Sequence, residues 1–185
     1  MANVSQNVSF GKPKATGAVY VAPIGTTVPT DATTALDAAF LSMGYISDDG
    51  LVNSISTDTE TVNAWGGDKV LVGQTKFGET FKVMALETTV NALKTFYGAS
   101  NVTQTGSNIT ITANSAPLPQ VVVVFELVLT GGRVKRIVVP IAQIVDRSGD
   151  ITYTDGDAIM YPLVFEALPD SSGNTHKEYV AVVSS

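Results

Sequence analysis

The sequence predicts a mainly β chain with one short helix, and three observations carry that reading. Charged residues make up only 15% of it, below the roughly 25% of ordinary soluble domains, so polar surface falls to Thr, Ser, Asn and Gly. Val and Thr, stiff at their first side-chain torsion, suit a pleated surface better than a helix. Residues 77–85 set Phe77, Phe81, Val83 and Ala85 on one face and Lys76, Thr80 and Lys82 on the other, as a half-buried strand requires. Glu79 is the misfit on the apolar face. Residues 121–129 are apolar almost throughout, interrupted by Glu126, and Gly131-Gly132 then leads into a second strand-like stretch. Two glycines that accept positive φ close a tight hairpin, whose first strand is expected to be central and buried on both faces.

Taken in order, residues 1–17 are polar with scattered Val4, Val8 and Phe10, which reads as an arm unable to form its own core, leaving 18–185 as one domain. A strand is expected over 18–22, ended by Pro23 and Gly25. Thr30 or Asp31 could cap a short helix whose face is Leu36, Ala39, Phe40 and Met43, with Gly44 as its stop. A turn at Asp48-Asp49-Gly50 opens a strand over 51–57; a long loop over 58–68 holds Trp65, Gly66 and Gly67, and strand character resumes over 69–75.

The clearest helix spans 88–97, with Thr88 or Thr89 as cap, Val90, Leu93 and Phe96 or Tyr97 as its stripe, and Gly98 at a left-handed C-terminal site. Such a short helix is expected to pack across an open end or face of a sandwich. Further strands are expected over 109–113, 133–144, 151–154, 158–168 and 177–183. Pro140, which cannot donate to a ladder, should mark an edge or a bulge.

Composition narrows the function. Net charge is −6, which gives no pull toward phosphate backbones, although an acidic wall could guide DNA by repelling it. With no cysteine, neither a disulfide framework nor a cysteine-ligated zinc site can form. Residues 1–17 hold no apolar export signal, and the apolar run over 121–129 falls far short of the about 20 residues of a membrane-spanning helix.

No catalytic, cofactor-binding or metal-binding residues are assigned. His176, the single histidine, lies in a polar loop and is expected to be solvated, and no G-x-S-x-G elbow accompanies a serine. Glu60, Glu79, Glu87, Glu126, Glu166 and Glu178 are dispersed. Asp146, Asp150, Asp155 and Asp157 could offer oxygen ligands to calcium, but they lack the EF-hand pattern and are better explained as turn residues. Gly66-Gly67 has no P-loop lysine after it and reads as a flexible loop. Trp65 either folds onto its own core or anchors a contact between subunits, and its polar surroundings favour the contact. Arg133, Lys135 and Arg136 form either a solvated hairpin end or a patch for acidic residues of a neighbour.

Several stretches, in this order and spacing, resemble the major tail tube proteins of long, non-contractile bacteriophage tails. They are Leu36-Asp37-Ala38-Ala39-Phe40, the run from Met43-Gly44-Tyr45 to Gly50-Leu51, Ala64-Trp65-Gly66-Gly67-Asp68, Glu79-Thr80-Phe81-Lys82-Val83, the helix to Tyr97-Gly98, Asp155-Gly156-Asp157, and Tyr161-Pro162-Leu163. The resemblance spans nearly the whole chain. It implies a non-enzymatic β-sandwich or barrel-like tail tube fold with one short flanking helix, an N-terminal arm and a long hairpin loop. It implies hexameric rings stacked into a tube in the virion tail, assembled in the host cytoplasm. The implied partners are other copies of the chain, a tape-measure protein, a tail terminator and a distal tail protein, with DNA passing through unbound. On this reading Val4, Val8, Phe10, Trp65, Gly66 and Gly67 make contacts between subunits. The competing reading is an immunoglobulin-like or carbohydrate-binding sandwich of a virion or cell surface.

Overall fold

The structure is a computed structural model that describes residues 8–147 and 149–182. Strand outweighs helix by 48% to 6%, so the chain is mainly β. Its centre is the apolar run, strand β8 (Val121–Leu129). One edge of β8 pairs with β2 (Val19–Pro23) and, further along, with β1 (Gly11–Pro13). The other edge pairs with β9 (Arg133–Asp146) through the turn at Gly131 and Gly132, both at positive φ. Beyond β9 come β10 (Tyr161–Ala167), β5 (Lys69–Ala85) and β4 (Val52–Asn63), while β3 (Leu41–Ser42) borders β2 and β11 (Lys177–Val182) shares β9. A separate hairpin joins β6 (Val102–Thr105) to β7 (Asn108–Ile111).

The sheet curls over on itself to make a sandwich. Phe81 of β5 and Phe125 of β8 stack with ring centroids 5.2 Å apart, although β9 and β10 lie between their strands in the ladder. In a flat sheet three strand spacings would separate them by about 14 Å. Val19, Met43, Val83, Leu93, Leu163 and Phe165 complete the interior. The opposite face of β8 is covered as well: Val122 and Val124 pack with Ala22, Phe40 and Val138. Thus β8 is buried on both faces.

Pro140 does mark a bulge. Val121 and Val123 of β8 face Ala142 and Val139, so β9 carries one extra residue there. On its far edge β9 exchanges partners at the same place, pairing with β11 up to Val138 and with β10 from Ala142. A residue with no N–H is tolerated where no ladder bond is needed.

Helix α1 (Val90–Tyr97) takes Thr89 as its N-cap, with the Thr89 hydroxyl accepting from the Ala92 N–H at 3.4 Å, and it buries Ala92, Leu93 and Phe96. Gly98 follows at φ 101° and ψ 140°, positive in φ but outside the left-handed helical well that the sequence suggests.

Four sequence expectations change. Residues 30–44 contain no helix; Leu36, Ala39 and Phe40 still face inward, covering β2 and β8. Instead the Asp31 carboxylate accepts from the Thr33 and Thr34 N–H groups, each at 2.6 Å. Short Asp and Thr side chains that bond neighbouring backbone compete with helix in this way. Residues 151–154 form no strand. The loop expected over 58–68 is strand as far as Asn63, and residues 69–85 form one continuous strand, so only residues 64–68 turn. Within the expected arm, residues 11–13 pair with β8 of their own chain.

Candidate assembly interface

Strands β4 and β5 form a hairpin that leaves the body. All twelve residues of β4 are exposed, as are residues 64–77. Beyond the Ser56–Gly78 pair the ladder continues to Asn63, roughly 23 Å at about 3.3 Å per residue. Cross-strand partners such as Thr57 with Phe77 and Val62 with Leu71 hold it together. A two-stranded ribbon wet on both faces is marginal in water, and this one exposes Ile55, Val62, Val70, Leu71, Val72 and Phe77. At its tip Trp65 is fully exposed, at 107% of its reference surface, so it does not fold back onto its own core. The turn is closed by Ala64 N–H donating to Asp68 O at 2.7 Å and Gly67 N–H to Ala64 O at 3.0 Å. Gly66 and Gly67 sit at φ 111° and 101°, where a side chain would be strained.

The root of the hairpin is polar and buried. Glu79, the misfit of the alternating pattern, is 1% exposed. Its carboxylate accepts from Asn53 Nδ2 at 2.9 Å and Thr175 Oγ1 at 2.5 Å, and lies 2.9 Å from His176 Nδ1. Burial pushes the carboxyl's pKa up, but the bonds from Thr175, Asn53 and His176, with the imidazole's charge, outweigh it and hold it below the ordinary value. The cluster therefore ties β4, β5 and the segment entering β11 at the point where the hairpin emerges. His176 is accordingly not the solvated loop residue expected from sequence; its ring also meets Phe81 edge-on at 5.6 Å. Sequence missed the pair because its members lie 97 residues apart. The one available signal was a carboxylate on an apolar face.

A second buried network lies on the β8–β9 ladder, where Arg136 pairs in register with Tyr179 of β11. Arg136 and Glu126, 2% and 4% exposed, pair directly, and Arg136 Nη1 donates to the carbonyls of Asp31 and Thr34 at 2.8 Å each. Lys14 reaches the same carboxylate at 2.9 Å. The Thr34 hydroxyl, then the Thr34 and Thr33 N–H groups, hold Asp31 well below the usual carboxylate range. The supposed basic patch is thereby corrected: Arg136 is internal, Lys135 pairs with Glu178 at 2.7 Å, and Arg133 bonds Ser9 and the Thr130 carbonyl.

Of the residues expected at subunit contacts, Val8 and Phe10 are 71% and 75% exposed, and the Phe10 N–H donates to Thr130 Oγ1 at 3.0 Å beside the Gly131-Gly132 turn. Val4 lies outside the described residues. No described contact joins this patch to Trp65, so exposed apolar groups occupy two separate places. The acidic stretch shows turn bonding: Thr154 Oγ1 donates to Asp157 Oδ2 and accepts from the Asp157 N–H, at 3.0 and 3.1 Å.

Comparison with known proteins bears on what these surfaces are for. A family model described as phage tail tube protein matches residues 10–181. A search of curated proteins gives no match.

Proposed function

The chain belongs to the phage tail tube protein family, a structural component of the virion tail, and from that premise we propose that it polymerises into stacked, hexameric rings enclosing the conduit for DNA ejection in a long, non-contractile tail. The work is geometric. Each subunit offers a surface that a neighbouring copy completes, and repeating a heterologous contact of this kind builds rings and filaments.

One observation carries the reading. The β4–β5 hairpin is wet on both faces and ends in an exposed tryptophan, an arrangement that costs free energy in the lone chain and becomes favourable once a partner covers it. The outer edge of β4 adds a long row of unpaired backbone groups, a template for further pairing. Val8 and Phe10 offer a second apolar patch, so the N-terminal arm and the hairpin both serve as contacts between rings. The net charge of −6 suits a conduit that repels phosphates and lets the duplex slide. A tape-measure protein within the tube, a tail terminator and a distal tail protein at its ends are the partners this role calls for, with assembly in the host cytoplasm.

Negative-stain electron microscopy of the purified chain tests the proposal. Rings or tubes are expected. A protein that stays monomeric at high concentration and binds glycans would replace this reading with that of a carbohydrate-binding sandwich.

A further inference from the structure

The molecule carries an apolar knob and an apolar hole that do not meet within one chain. The knob is Trp65, wholly exposed on a turn whose two glycines have open space around them. The hole is a cavity of about 310 Å³ between α1 and the strands beneath it, walled by Val21, Pro23, Leu41, Leu118, Val121 and Ile144. Lys94 is the charged side chain on its lining, and it makes none of the ion pairs found among the described residues.

We propose that this cavity receives Trp65 of a second copy of the chain, seating the hairpin tip against α1 with Asp68 of the incoming turn facing Lys94. The inference rests on the reading that the hairpin docks on a neighbour, and it names the receiving surface.

Three considerations select this occupant. A homopolymer built by a heterologous contact must carry both halves of that contact on every subunit, so the partner of the knob has to be found on this same chain. The volume fits: an apolar cavity of about 150 Å³ already accommodates benzene, and the larger hole has room for a bicyclic indole. The chemistry fits at both ends of the side chain. The apolar wall offers water few partners and suits the ring, while the amides of Asn91 and Gln120 on the lining provide acceptors for the indole N–H, which a buried tryptophan requires. Charge adds register, since Asp68 lies three residues beyond Trp65 and Lys94 has no carboxylate ion-pair partner among the described residues.

The chain's composition supplies the test. It has no cysteine and one tryptophan, so introduced thiols and the native indole report without background. Tubes of the unaltered protein, verified by microscopy, are expected to show a blue-shifted Trp65 emission and a several-fold loss of acrylamide quenching relative to the monomer. The pair Ala64→Cys with Ala99→Cys, one beside Trp65 and one on the cavity lining, is expected to give a ladder of disulfide-linked multimers in tubes and none in monomers. Tubes in which Trp65 keeps the emission of an exposed indole would overturn the proposal. So would tubes in which Trp65 is shielded but Ala64→Cys links to Lys12→Cys, beside Phe10 and Leu129, instead of to Ala99→Cys. That last result leaves hairpin docking intact and moves only its receptor, whereas failure of the unaltered chain to form rings or tubes refutes the functional reading and this inference with it.

Discussion

Replacing Arg136 by Met removes the cation of a buried network while keeping most of the side chain's volume. Arg136 is 2% exposed, and its guanidinium serves Glu126 and the carbonyls of Asp31 and Thr34. The substitution leaves two carbonyls short of a donor and a nearly buried carboxylate with Lys14 as its remaining partner. Removing one member of a buried ion pair costs about 3–5 kcal/mol, and the surviving Lys14 contact argues for the lower end. At about 3 kcal/mol, with each kcal/mol worth about 2–4 °C in a domain of this size, melting should fall by roughly 6–12 °C. That is a large share of a stability of about 5–15 kcal/mol. The assay is urea unfolding of the dilute monomer followed by circular dichroism, because Trp65 is already exposed when folded and makes a poor fluorescence reporter. Replacing both partners, as Glu126→Leu with Arg136→Met, should destabilise by less than the sum of the two single changes, since no buried charge is then left without its partner and Lys14, part exposed, can return to water. A loss below about 1 kcal/mol for Arg136→Met, or strict additivity of the pair, would refute the view that these groups depend on each other.

Three further outcomes are expected. The Glu79 carboxyl is held below its ordinary value of 4.5, so the stabilisation it provides is present above that value and is lost as pH falls through the lower folded-state pKa. Melts from about pH 6 down to about pH 3 should therefore show a steep acid limb that Glu79→Gln flattens while lowering stability at neutral pH, and an unchanged limb would contradict this. Deleting residues 1–8 should leave monomer melting unaltered and impair tube formation, whereas deleting residues 1–17 should also lower melting by removing the β1–β8 pairing and the Lys14–Glu126 ion pair; equal melting of both truncations would show that those contacts add nothing. A structure of the assembled tube should reveal a lumen lined by neutral and acidic side chains, and a wall dominated by Lys and Arg would exclude the repulsive conduit.

The sequence by itself determined the elements whose signals are local. An apolar run broken only by Glu126 specified β8 as a strand buried on both faces, two glycines specified its hairpin with β9, and a threonine cap with an apolar stripe specified α1. Proline at residue 140 announced an edge or a bulge because a missing N–H is a local fact, and the register shift of the β8–β9 ladder made it a bulge. Where one pattern admits two conformations, only tertiary structure decided. The spacing of Leu36, Ala39 and Phe40 reports which side of the chain faces inward, and an irregular segment pinned by Asp31 satisfies it as well as a helix does. Residues 58–63 are polar enough to read as a loop, yet they form strand because β5 runs alongside them; no local preference records that partner. The same limit applies to the candidate interface. Trp65 was legible as an unusual residue, but its complete exposure follows from a hairpin extending past the body, a property of sheet topology. Glu79 and Glu126 were legible only as charges in apolar settings, and their partners His176 and Arg136 read as a polar-loop residue and part of a basic patch, because a buried charge is made tolerable by partners that the fold delivers from elsewhere in the chain.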